Sequence, residues 1–221
     1  MVGSRAMKLG CLGCLGTVLG LFLLCGLIGG ALWAWSGIQG TPPPLPASGA
    51  KADPGAVERK LAEIGLRGSG RSTRSEPLLF SEPELATLLS TYLSDAGFGL
   101  SPIALRLRPG RVTLQGRLPL SALVQGSPVA WTASVLPRST LQSPIWITLV
   151  GRVELEPPVA PRRPRYAEAI LLESRVGRIF VPGWLLSLIL GPRGASLLRW
   201  QVSGVVGHLE VGENRLTIRT R

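Results

Sequence analysis

Beyond residue 25 the chain contains no cysteine, so everything after it must fold without disulfides and without thiolate metal ligands. Histidine is nearly as scarce, with His208 standing alone. Lysine occurs only at Lys8, Lys51 and Lys60, and arginine supplies the rest of the 24 basic residues, against 13 acidic ones. No five like charges run together, and the arginines do not interleave with aromatics. That pattern excludes a basic nucleic-acid arm or a base-stacking platform, despite a net charge of +11. From Ser75 to Arg221, 16 arginines stand against 10 acids, which makes a moderately basic domain. No nucleic-acid partner is expected.

Catalytic constellations are also missing. No G-x-S-x-G stands beside a strand-to-helix turn, and no glycine-rich loop follows a strand and opens a helix. His208 alternates with Leu209 and Val211, so it faces solvent if those two face the core. Glu154 and Glu156 share one strand face, a spacing common on solvated strands. Glu82 and Glu84 occupy a helix's first turn, where the helix dipole and capping favour acids. Catalytic residues, metal and cofactor are therefore all expected to be none, and the chain reads as a non-enzyme.

What is abundant is apolar and N-terminal. Leu9 to Trp35 carries no charge, and a bilayer core needs roughly 20 such residues. Arg5 and Lys8 precede the run, and the first charge after it is Lys51. The positive-inside rule then leaves residues 1–8 in the cytoplasm, makes 9–35 a single-pass anchor and puts the rest outside. Trp33 and Trp35 fall where an outer aromatic belt belongs. Cleavage as a signal peptide near Gly29-Gly30-Ala31 is the alternative, against which the length of the run argues. Cys11 and Cys14 have redox or zinc spacing, but inside an apolar helix they read as small lipid-compatible side chains or acylation sites. Gly16/Gly20 and Gly26/Gly30 are GxxxG pairs that would permit an anchor-mediated homodimer.

Residues 36–74 read as a Pro/Gly/Ser-rich linker, opening with Thr41-Pro42-Pro43-Pro44-Leu45-Pro46. Asp53-Pro54 caps a short helix over 54–64, with Gly65 as its stop. The domain, 75–221, opens at Phe80-Ser81-Glu82-Pro83-Glu84-Leu85, a capping box with a hydrophobic staple. Leu85, Leu88, Leu89, Tyr92, Leu93 and Ala96 continue at helical spacing to Gly97. The period then falls to two. Ile103, Leu105 and Leu107 alternate with Arg106 and Arg108, and after Pro109-Gly110, Val112, Leu114, Leu118 and Leu120 alternate with Arg111, Thr113, Gln115 and Arg117. Val129–Leu136, Ile145–Leu155 and Tyr166–Val176 read as further strands, with a basic proline-rich loop at Pro157–Pro164. Ile179-Phe180-Val181-Pro182 enters a second helix that ends at Gly191-Pro192, and a hairpin joined by Gly212-Glu213-Asn214 closes the chain. The expected fold class is α+β, an N-terminal transmembrane helix plus one domain with a curved antiparallel sheet against two main helices.

The order of elements, with the openings FSEPEL and ELATLLSTYL, the hairpin RLRPGRVTLQGRLPL and the segment ESRVGRIFVPGWLLSLIL, resembles the YpmS-like and LmeA-like families of bacterial envelope proteins. The likeness spans Leu79 to Arg221 and includes the helix opening at Ser81–Leu89, a strand ending near Gly116, and Gly177-x-x-x-x-Pro182. It implies a tubular lipid-binding type of fold with an apolar groove and transfers no catalytic residue. The arginine load and the Pro157–Pro164 insertion depart from the family pattern. The expectation is a membrane-anchored envelope protein that binds a lipid or other amphiphile. Phe180, Trp184, Leu185 and Leu188 would line the groove, and Arg178, Arg193, Arg106 and Arg108 would meet anionic headgroups. Trp184, Leu185, Leu188 and Ile189 cover more of the helix than a core-facing stripe needs, which fits burial, a ligand groove or a surface that dips toward the bilayer, with Arg178 and Arg193 at either end for anionic headgroups. The alternative function is a protein–protein scaffold in an envelope-biogenesis complex, with envelope proteins as partners.

Overall fold

The computed structural model describes residues 30, 35–45, 53–97, 99–124, 137–157, 165–186 and 198–220. Apart from residues 30 and 35, the run Leu9–Trp35 lies outside them, as do Cys11, Cys14, Cys25 and the expected strand Val129–Leu136 with Trp131. So do most of the Pro157–Pro164 loop and Leu188, Ile189, Gly191-Pro192 and Arg193. No helix among the described residues is long and apolar enough to cross a membrane.

The fold is α+β, with a curved antiparallel sheet and several helices. The main sheet runs β2 (Ile103–Arg108), β3 (Arg111–Pro119), β4 (Pro144–Leu155), β5 (Arg165–Val176) and β6 (Ile179–Phe180). At the far end of β5, β7 (Arg199–Val202) pairs alongside it. A smaller sheet of order β1-β9-β8 joins Leu78–Ser81, Arg215–Thr220 and Val206–Val211. Curvature enters the long β4–β5 ladder at a shift of register between Val150 and Gly151. A Cβ on Gly151 would stand 2.8 Å from the Ile170 carbonyl oxygen, so the close approach at this irregularity requires glycine.

Cross-strand partners share a face, so the register separates the two sides of the sheet. Leu105, Leu107, Leu118, Ile145, Ile147 and Val176 are buried on the inner face. Arg106, Arg108, Arg111, Thr113, Gln115, Arg117, Trp146 and Thr148 lie on the outer one. The strand that was expected to continue through Leu120 stops at Pro119, and Leu120 opens the short helix α4 (Leu120–Val124). Helix α5 (Arg138–Gln142) leads into β4. The second helix enters later than its apolar pattern suggests. Ile179 and Phe180 pair with Val176 and Arg175 as β6, and helical backbone begins at residue 183.

Helix α3 (Glu82–Asp95) starts at Ser81, where the Glu84 carboxylate accepts from the Ser81 N–H at 2.8 Å and from its hydroxyl at 3.0 Å. Gly97 follows at φ +81°, a left-handed stop. Leu85, Ala86 and Leu89 pack against Leu105, Leu107 and Val211, whereas Tyr92 and Ala96 of the same stripe are exposed. Phe80, fully buried, contributes about 1.5–3 kcal/mol.

The segment expected as a linker is partly structured and attached to the domain. Helix α2 runs Pro54–Gly68, four residues past the expected end, with the Asp53 side chain accepting from the Gly55 N–H at 3.0 Å. Gly65 does not stop it; Ser69 is the C-cap. Val57 is 4% exposed, and Lys60 donates to Glu84 and to the Leu79 carbonyl. Arg67 is buried and donates to Glu63, the Glu76 carbonyl and Thr220.

Candidate functional site

Two clusters fill the inner face at separate places. The first joins Leu118, Ile145, Ile147, Val176, Val181 and Leu186, and the second joins Leu105, Leu107 and Val211 under α3. Where β4 and β5 run beyond the bulge, their inner face carries Val153, Leu155 and Ala169, and β7 adds Trp200 and Val202. These five are half-buried around Ala167, which is fully buried on the same face between Leu155 and Trp200, and neither cluster includes any of them. Arg165 crosses this end, giving Nη1 to the Val206 and Gly207 carbonyls at 2.8 and 3.1 Å and so tying β5 to β8. On the outer side Arg199 grips Glu156 with two nitrogens, at 2.8 and 3.0 Å, and lies over Tyr166. The hydrogen bond to Glu156 holds the Arg199 guanidinium more firmly protonated than usual. The result is a half-open apolar wall with charged strand edges.

A second feature was not legible in the sequence. Residues 35–39 form the helical stretch α1, and 40–45 continue from it as an extended strap onto the sheet. Ile38 packs into the first cluster, and the Gly37 carbonyl accepts the Arg178 N–H at 2.9 Å. Gly177, at φ +60°, sits so close that an added Cβ would meet the Gly37 and Ile38 carbonyls. Farther along, the Gln115 amide makes two bonds to the strap. Its Nε2 donates to the Pro43 carbonyl at 3.2 Å, and its Oε1 accepts the Leu45 N–H at 3.1 Å. Gln115 is 3% exposed as a result, on a face where alternation alone would leave it in solvent. Thr148, its cross-strand partner, and Arg117, two residues along, each bury one side-chain atom with no hydrogen-bond partner among the described residues. Arg117 stacks over Trp146 at 5.4 Å.

The expected site residues separate. Phe180 is 58% exposed and Trp184 is 70% exposed, so the burial reading of Trp184 fails. Leu185 instead packs on the first cluster, and Leu186, a residue not singled out from the pattern, is its buried anchor at 1%. Arg178 is exposed in the turn before Phe180, with its aliphatic stem over Gly40. Arg106 and Arg108 project from the outer face of β2, opposite Thr113 and Arg111, and so are not brought together with Arg178 or with the half-open wall. Leu188 and Arg193 lie outside the described residues. Exposure of His208 and Glu210 agrees with the alternation of the last hairpin. Glu82 and Glu84 serve the framework, Glu82 accepting the Leu107 N–H at 2.6 Å. Among the described residues no group of three or more His, Cys, Asp or Glu could hold a metal ion. No protein-family model, curated protein or solved structure matches the chain.

Proposed function

We propose that this is a non-enzymatic, membrane-anchored envelope protein, its N-terminus in the cytoplasm and its domain outside, which holds a lipid or other amphiphile against the inner face of its sheet. One observation carries the reading: the apolar wall of Val153, Leu155, Ala169, Trp200 and Val202 is half-buried and belongs to neither core cluster. An apolar ligand would complete the burial that the framework begins, and the hydrophobic gain scales with the area removed from water. The apolar run Leu9–Trp35 supplies the anchor. The wall and that run support the amphiphile and the anchor, and the envelope setting is what the resemblance to YpmS-like and LmeA-like proteins implies.

Mass spectrometry of amphiphiles retained by the full chain, after extensive exchange in a mild detergent, tests it. The wild type should retain a defined lipid class in stoichiometric amount, and Val153→Trp, which fills the wall, should retain several-fold less while staying folded. The second reading is a scaffold module, favoured by the exposed leucines Leu61, Leu66 and Leu79 on the adjoining elements α2 and β1. A stoichiometric protein partner, with no retained amphiphile in either variant, would decide for the scaffold.

A further inference from the structure

Phe180 and Trp184 are more exposed than any other large apolar side chain among the described residues, and they are four residues apart. They are not on a loose loop. Between them the Val181 N–H donates to the Ser174 carbonyl, and the Ser174 hydroxyl donates back to the Val181 carbonyl. The N–H groups of Leu185 and Leu186 both reach the Pro182 carbonyl, and Leu186 is locked in the core. A rigid frame thus presents two aromatic rings outward. Such side chains are a liability in water unless something apolar receives them.

The strap says what receives them. Trp35 closes the apolar run, and two residues later Gly37 is hydrogen-bonded to Arg178 and pressed against Gly177. Two helical residues advance the chain only about 3 Å. From Arg178 to Phe180 an extended chain covers roughly 7 Å. If Leu9–Trp35 crosses a bilayer, the β5–β6 turn must therefore lie at the level of the outer interface. Tryptophan and other aromatics are at home there, with an apolar body and a polar tip. Arg178, exposed in the same turn, supplies a cation for phosphate. Gln115 then fastens the strap a second time, so the domain is not free to lift away on a flexible tether.

We propose that the β5–β6 turn and the helical turn at residues 183–186 form a membrane-docking surface, with Phe180 and Trp184 seated in the headgroup–acyl boundary of the leaflet from which the chain emerges, and Arg178 among lipid phosphates. The proposal rests on the anchored reading above and adds the domain's orientation, with its β5–β6 end on the bilayer.

The full chain, with Ser replacing Cys11, Cys14 and Cys25, would carry a single environment-sensitive fluorophore through Trp184→Cys, Phe180→Cys or, as reference, His208→Cys. It would be reconstituted in phosphatidylcholine–phosphatidylglycerol vesicles containing doxyl lipids. The labels at 180 and 184 should be blue-shifted, quenched several-fold more by shallow doxyl lipid than the label at 208, and protected from aqueous iodide. If a labelled variant does not fold, native Trp184 serves: quenching by brominated lipid should drop in Trp184→Phe. Retention of the chain after alkaline carbonate washing, with aqueous labels at 180 and 184, would overturn the docking surface and leave the anchor standing. Protection from iodide without lipid quenching would overturn it too, by showing a protein partner or second copy over the patch. Loss of the chain in the wash would defeat both the anchor and the docking surface.

Discussion

At the start of α3 the Glu84 carboxylate accepts from the Ser81 N–H and hydroxyl and from Lys60 Nζ, the last at 2.6 Å. Burial alone would push its pKa up. The hydrogen bonds from Lys60 and Ser81 outweigh that effect and hold it below the ordinary glutamate value. A carboxyl whose folded pKa is depressed stabilises the fold fully above the unfolded pKa, about 4.3 for glutamate. That contribution is lost as pH falls through the folded value. Glu84→Gln should therefore cost about 1–2 kcal/mol at pH 7, because the neutral amide is a weaker acceptor for both Ser81 and Lys60. Urea unfolding at pH 7 and pH 3 checks it, since the two proteins should converge in acid. An equal gap at both values would mean that charge has no part in it. The capping half of this site is readable in Ser-x-x-Glu; the Lys60 half is not, because 24 positions separate the partners.

Helix α2 shows how an element's worth depends on what it meets. Its own composition is that of a short amphipathic helix in a flexible region, yet Val57 is buried and Arg67 bridges Glu63, Glu76 and Thr220. A fragment beginning at residue 75 would lose that burial and leave the Glu76 carbonyl and Glu84 without these donors. It should unfold with about 3–5 kcal/mol less stability than a fragment of residues 53–221, mostly through the lost Val57 and Arg67 contacts. For domains of this size that is a drop on the order of 10 °C in Tm. Circular dichroism melts of the two fragments test it, and equal melting temperatures would show α2 to be an appendage. Neither melt should respond to reductant, because no cysteine follows Cys25.

For the whole molecule, the charges flanking Leu9–Trp35 predict the side on which the domain lies. A reporter that folds only outside the cytoplasm should be active when fused after Arg221, and one that works only in the cytoplasm should be silent there. The opposite pair of results would reverse the orientation and with it the leaflet proposed for Phe180 and Trp184.

Local chemistry and period were enough for the capping box at Ser81–Glu84, the hairpin at Pro109-Gly110, the long strands β4 and β5, and the closing hairpin. Each depends on neighbours within a few residues or on alternation along one strand, which a one-dimensional sequence preserves. The α+β class followed from those pieces. What tertiary structure alone decided was how distant pieces meet. Leu78–Ser81 pairs with β9 at the other end of the domain, and Gln115 turns from a solvent-facing position into a clamp on Pro43 and Leu45. Apolar periodicity says that Trp184 and Leu185 belong to one apolar stretch, but not which of them is packed into the core. Leu185 points at the core cluster and Trp184 away from it. Burial is a property of pairs brought together by the whole chain, so no single segment can encode it.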